Sequence, residues 1–196
     1  MLFRPRCVLI LAALALPALT HASTWEIDPA HTNAHFAVKH LVISTVRGHL
    51  GKVTGTVTLD ESDPTKSSAQ ATIDAAGVDT DNDKRDEHLK GPDFLDVAKH
   101  PTLTFKSKKV EKIADDHYKV TGDLTLHGVT KEVALDVKGS TKPLTDPFGN
   151  VKLGGEATTT INREDFGVSW SKTLDGGGLV VGDDVDVMID VELLKK

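Results

Sequence analysis

Cysteine is nearly missing from this chain: Cys7 is the single example among 196 residues. It lies in an N-terminal segment that reads as an export signal, so the rest of the chain has no thiol and no disulfide. Stability has to come from a core. Aromatic residues are scarce, with two tryptophans, one tyrosine and six phenylalanines, which leaves few large rings to fill an interior. Apart from the run from Val8 to Leu16 there is no long apolar stretch, and that run is too short for a transmembrane helix. Excess positive charge is missing too. With 23 basic and 29 acidic residues the net charge is −6, which disfavours nucleic acid and anionic lipid surfaces as partners.

What is present begins with an address. Arg4 and Arg6 precede the apolar run, and Pro17 leads through small residues to Thr20-His21-Ala22. That is the order of a secretory signal with a cut after Ala22. Cys7 is misplaced for a lipoprotein anchor, which needs cysteine directly at the cut. Cleavage removes two of the 23 basic residues and no acidic ones, leaving 21 against 29 and a net charge of −8. The expectation is a periplasmic protein in which residues 23–196 form one domain with a sizeable core.

Period-2 alternation recurs along that domain. Strands are expected at 24–27, 35–38, 50–59, 67–78, 102–113, 117–126, 131–142, 151–161 and 184–194. Turn chemistry separates them at Ser62-Asp63-Pro64, Ala114-Asp115-Asp116 and Asp146-Pro147-Phe148-Gly149. One helix is expected, from Asp83 to Lys90, with Asp83 as its cap and a short turn following at 92–96. Long antiparallel strands with so little helix favour a barrel over a sandwich, because closure removes exposed edges. The fold class expected is therefore all-β, an eight-stranded antiparallel barrel with one or two short helices.

The hairpin over 118–138 fixes one wall. If His127-Gly128 is a two-residue turn, Leu126 faces Val129, Gly122 faces Val133 and Val120 faces Leu135, with Lys119 opposite Asp136 on the other face. A one-residue slip would set apolar against polar. Inward positions elsewhere include Gly55, Ala69 and Ala71, set against larger residues at Leu103, Phe105, Leu135, Ile161, Val187 and Ile189. An eight-stranded barrel is plugged by its own side chains or holds one small ligand. The glycines and alanines suggest spare apolar volume.

Several chemical motifs fail on inspection. His31 and His35 lie roughly 13 Å apart on an extended strand, too far to share a zinc, so no metal is assigned there. Asp79-Thr80-Asp81-Asn82-Asp83 opens like a calcium loop, but Lys84 and Lys90 stand where glycine and the bidentate glutamate belong. The glycine-rich stretch 175–182 lacks the lysine and hydroxyl of a phosphate loop, and Gly167-Val168-Ser169-Trp170-Ser171 lacks the last glycine of a nucleophile elbow. No catalytic residues are assigned, and a non-enzymatic role is expected.

An ordered series of short motifs covers essentially all of the domain. It runs through Trp25-x-Ile27-Asp28-x-x-His31-Thr32, Phe36-x-Val38-x-His40, Gly48, Thr80, Arg85-Asp86-x-His88-Leu89, Asp93-Phe94 and His100-Pro101-x-x-x-Phe105. It continues with Gly122-x-Leu124-Thr125-x-x-Gly128-Val129-Thr130, Arg163-x-x-Phe166-Gly167 and Gly182-Asp183-x-Val185. The series resembles the YceI family of secreted, lipocalin-like bacterial proteins. Thr32, Leu50, Leu95 and His100 depart from that family's usual serine, phenylalanine, phenylalanine and tyrosine, and alter the shape of the pocket.

The resemblance implies an extended barrel that binds a polyisoprenoid such as a quinone tail, a polyprenyl chain or a fatty-acid-type amphiphile, with no covalent cofactor. The apolar residues expected at the lumen and its mouth are Phe36, Val38, Leu41, Phe94, Leu103, Phe105, Gly122, Leu124, Leu135, Ile161, Phe166, Trp170 and Ile189. Whether two barrels pair as a homodimer stays open. A metal-dependent periplasmic enzyme and a protein-interaction adaptor with an acidic exterior are the rival readings.

Overall fold

The computed structural model describes residues 22–196, so the expected export signal, apart from Ala22, lies outside the described residues. The strands are β1 Ala22–Ile27, β2 Asn33–His40, β3 Ser44–His49, β4 Val53–Asp60, β5 Ser68–Asp74, β6 Thr102–Ala114, β7 His117–Leu126, β8 Val129–Gly139, β9 Leu144–Thr145, β10 Val151–Asn162 and β11 Val181–Lys195. One α-helix, α1, spans Asp83–Lys90, and short 3-10 turns occupy Pro64–Lys66, Ala75–Gly77 and Arg163–Phe166. Eight strands close an antiparallel barrel in the order β1-β4-β5-β6-β7-β8-β10-β11, with β11 returning to β1. The expected fold class stands.

One wall is built differently from the rest. The long strand β11 gives its C-terminal end to β1, pairing Lys195 with Trp25, and its N-terminal part to β2, pairing Val187 with Phe36. The tight turn 28–32 lets β1 and β2 lie end to end along the same neighbour. Asp28 shapes that turn by accepting the Ala30 N–H and a ring nitrogen of His31. Beyond β2 the hairpin partner β3 extends the wall, and His49 bridges to Asp79.

The β3 strand was not expected, for a physical reason. Its inward positions are Val46 and Gly48, opposite Val38 and Phe36. The bulk that would mark the strand comes from Phe36 instead, whose Cε1 would lie 2.8 Å from a Cβ at Gly48. The hairpin of β7 and β8 follows the expected register, with Leu126 opposite Val129, Gly122 opposite Val133 and Lys119 opposite Asp136. His127 and Gly128 adopt positive φ values of 52° and 75°, as a two-residue primed turn demands.

The helix has the expected bounds, but its cap is Asn82, whose side chain accepts the Arg85 N–H at 3.0 Å. Asp83 is the first helical residue, near the positive end of the peptide dipoles. Asp86 turns back to take both the N–H and the hydroxyl of Thr80, at 2.9 and 2.5 Å, and Arg85 holds the Thr80 carbonyl at 2.6 Å. These contacts fasten a polar helix without a large apolar face. The buried core gathers at the same end of the barrel, where Val53, Ile73, Leu103, Leu126 and Ile161 meet Phe166, with Leu95 and Val97 packed against them.

Candidate functional site: an apolar lumen

Alternation along eight strands aims every second side chain inward, and the inner faces enclose a cavity of about 290 Å³. Of the residues expected at the lumen, Leu103, Phe105, Leu124, Leu135, Ile161 and Ile189 line it. Cross-strand pairing brings them together: Phe105 faces Leu124, Val120 faces Leu135, and Ala157 faces Ile189. Ala69, Ala71 and Ala157 also line it, and their small side chains leave the volume open. Size places the cavity at the lower edge of the roughly 300–1,000 Å³ typical of ligand sites.

Its lining is almost wholly apolar. The polar residues there, apart from Thr104, Tyr118 and Thr159, are Ser67, Ser68, Ser140 and Thr141, in or beside the turns at the end opposite the core. At that end Gly139 pairs with Gly155, and with Gly154 they present bare backbone to the cavity. The lumen is thus packed shut at one end and hydroxyl-rimmed at the other.

The remaining expected residues lie elsewhere. Gly122 faces inward but borders no free space, because a Cβ there would stand 2.5 Å from Cζ of Phe105 and 2.5 Å from the Lys106 carbonyl oxygen. Gly55 likewise marks a close backbone approach, to Gln70 and Ala71 across the ladder. Phe36 and Val38 share the inner face of β2, opposite Val187 and Val185. Leu41 occupies the turn after β2 with φ 53°. Phe166 belongs to the core. Phe94 and Trp170 form an aromatic cluster with His88, with ring centroids 4.9–5.3 Å apart, outside the cavity lining.

Charged groups keep to the ends and the outer face. Arg163 is buried and donates to the carbonyls of Val168, Val181 and Gly182 while pairing with Asp183 at 3.1 Å. It ties the long connection 167–180 to the start of β11, which accounts for the Arg163-x-x-Phe166-Gly167 and Gly182-Asp183 motifs. Lys152 stands among Glu192, Asp28 and Asp146. The Glu192 carboxylate beside it pushes the Lys152 ammonium pKa up, while the His31 hydrogen bond holds the Asp28 carboxyl below its usual value. A second hollow of about 780 Å³ crosses the outer wall past His35, Arg47, His49, Asp186 and Asp190. Phe36, Ala134, Val187 and Met188 also line it, so its walls mix apolar and charged side chains, unlike the almost wholly apolar lumen.

The sequence reading missed Ala157, Gly154 and Gly155 as lumen residues. The period-2 pattern of β10 carried the signal for Ala157, since it shares a face with Ile161. It also missed that His100, one of the four departures noted above, meets His127 ring to ring at 4.8 Å.

The profile of the YceI-like domain matches residues 25–193. A UPF0312 protein of Pectobacterium atrosepticum is 39% identical over 180 residues, covering 92% of this chain and 90% of its own. Protein YceI of Escherichia coli O17:K52:H18 is 39% identical over 173 residues, covering 87% and 86%. Among solved structures, the YCEI protein of Campylobacter jejuni matches with a TM-score of 0.68 at 34% identity, covering 81% of this chain and 90% of that one. A polyisoprenoid binding domain from Saccharophagus degradans matches with a TM-score of 0.62 at 15% identity, covering 88% and 98%. At that identity the likeness is one of fold.

Proposed function

The chain belongs to the YceI-like family, and we propose that it binds a long-chain lipophile, a polyisoprenoid such as a quinone tail in particular, in the barrel lumen. The observation that carries this reading is the apolar cavity of about 290 Å³, roofed by the core at one end and rimmed by Ser67, Ser68, Ser140 and Thr141 at the other. A hydrocarbon tail fits the interior, and a polar head fits the rim. The Saccharophagus degradans domain, named for polyisoprenoid binding, supports the choice of ligand class.

Magnitudes are adequate. Burying ten methylenes is worth roughly 8 kcal/mol at about 0.8 each. Association and tail ordering take back several of these, leaving roughly millimolar affinity for such a segment, and a longer tail binds tighter. The protein acts as a carrier or sequestering agent and not as a catalyst, and it works in the periplasm after cleavage behind Ala22. Ser23 would then open the chain within β1, where its hydroxyl accepts the Trp25 indole N–H at 2.8 Å.

Organic extraction of protein purified from its native envelope, followed by mass spectrometry, tests the reading. An isoprenoid or other long-chain amphiphile near one per chain is expected. Protein that carries none and takes up none from mixed isoprenoid quinones would refute it. Intact mass should begin at Ser23; a chain that retains its first residues would overturn the assignment to the periplasm.

A further inference from the structure

The closed end of the barrel carries a second chemistry. A carboxylate oxygen of Asp96 and one ring nitrogen each of His100 and His127 all lie within 4.8 Å of one another. We propose that these three residues form a binding site for a first-row divalent cation of the zinc type, clasping the β7–β8 turn to the loop that precedes β6.

Three observations carry this. First, the donor set of two imidazoles and one carboxylate suits such ions and leaves a fourth position for water. Second, His127 is oriented for the task. Its Nδ1 lies 3.3 Å from the carbonyl oxygen of Phe166. A carbonyl only accepts, so Nδ1 is the donor, and in the neutral imidazole Nε2 is the nitrogen that offers a lone pair. A ligating histidine is commonly held in this way, with its other nitrogen donating to a backbone carbonyl. Third, Asp96 is buried and therefore poor in water, and the ammonium paired with it among the described residues is that of Lys99, which approaches Oδ2 at 2.8 Å from a side chain 72% exposed. That arm can swing into solvent when a divalent ion takes its place.

A tetrahedral ion with bonds of about 2.0–2.1 Å sets its ligand atoms roughly 3.3 Å apart. Closing the present spacing is within reach of side-chain rotation. The other cluster of this kind, Asp28, His31 and Glu192, is a poorer candidate because the ammonium of Lys152 already stands between its two carboxylates. The exposed pair His35 and His49 has its ring nitrogens 3.3 Å apart, but Asp190 stands 4.0 Å from His35 and no carboxylate among the described residues closes a three-ligand cluster with the two rings.

The test is titration of zinc ion alone into the purified, chelator-stripped chain, followed by calorimetry and by melting temperature. One equivalent should bind and raise the melting temperature. His100→Gln and His127→Asn, the latter chosen because asparagine tolerates positive φ, should each weaken binding at least about tenfold and abolish the rise. His31→Gln and His35→Gln should behave like the parent chain. Absence of saturable binding, undiminished binding by His100→Gln, or loss of binding in His31→Gln or His35→Gln would each overturn the proposal.

Discussion

The ring of Phe105 covers the bare Cα of Gly122 from across the β6–β7 ladder, so closely that a Cβ at Gly122 would stand 2.5 Å from its Cζ. The two residues are diagonal neighbours: Phe105 pairs with Leu124, and Gly122 with Ser107. A glycine in a strand can therefore mark a ring laid over it and not an empty space. Phe105 keeps its place on the cavity wall because Gly122 has no side chain.

Gly122→Ala should destabilise the protein by about 1–3 kcal/mol through overpacking. Combining it with Phe105→Leu should cost less than the two single changes together, with a coupling of order 1 kcal/mol. Urea unfolding of the four proteins in the cycle measures this, and simple additivity would show that the ring does not depend on the glycine.

Free volume lies over the alanines. Ala157 lines the cavity between Val137 on one side and Ile189 on the other. Ala157→Phe should fill space that a ligand would use, leaving the melting temperature of lipid-stripped protein unchanged or raised while co-purifying lipid is lost. A drop matching the roughly 1–3 kcal/mol of an overpacked core, with lipid content unaltered, would place the cargo elsewhere.

Asp86 gives a prediction with a defined pH sign. Hydrogen bonds from the Thr80 hydroxyl and N–H hold its carboxyl below the ordinary value. A carboxylate with a depressed folded pKa stabilises above its unfolded value of about 4, and that contribution is lost as pH falls through the folded pKa. Asp86→Asn should therefore melt below the parent chain at pH 7, and the gap should shrink steadily below about pH 4. A gap independent of pH would mean that shape, not charge, holds the helix to Thr80.

Arg163 fastens residues 168–182 with hydrogen bonds to three carbonyls. Arg163→Met strands those acceptors, each worth about 1–3 kcal/mol when buried and unsatisfied. The variant should lose at least about 2 kcal/mol and gain protease cleavage within 171–180. Unchanged cleavage would show that the connection holds without the clamp.

Some of this architecture is legible in the sequence and some is not. The β7–β8 register is local, set by alternation and a His127-Gly128 turn, and so could be read to the residue. The bounds of α1 could be read for the same reason. The stacking of β1 and β2 along β11 depends on partners roughly 140 to 170 residues distant in the chain, and no local pattern encodes it. Lumen residues with large side chains, such as Leu103 and Ile189, announce themselves by bulk. Gly55 and Gly122 mislead because a missing side chain looks alike whether the space is empty or taken by a neighbour. The approach of His100 to His127 is a matter of loop placement, visible only once the barrel closes.

The most direct test of a ligand-binding lumen is native mass spectrometry of stripped protein reconstituted with an isoprenoid quinone, for the parent chain and for Ala157→Phe. The account predicts a single added quinone on the parent chain and none, or at least about tenfold less, on the folded variant. Equal loading of both proteins, or no loading of the parent chain, would contradict it.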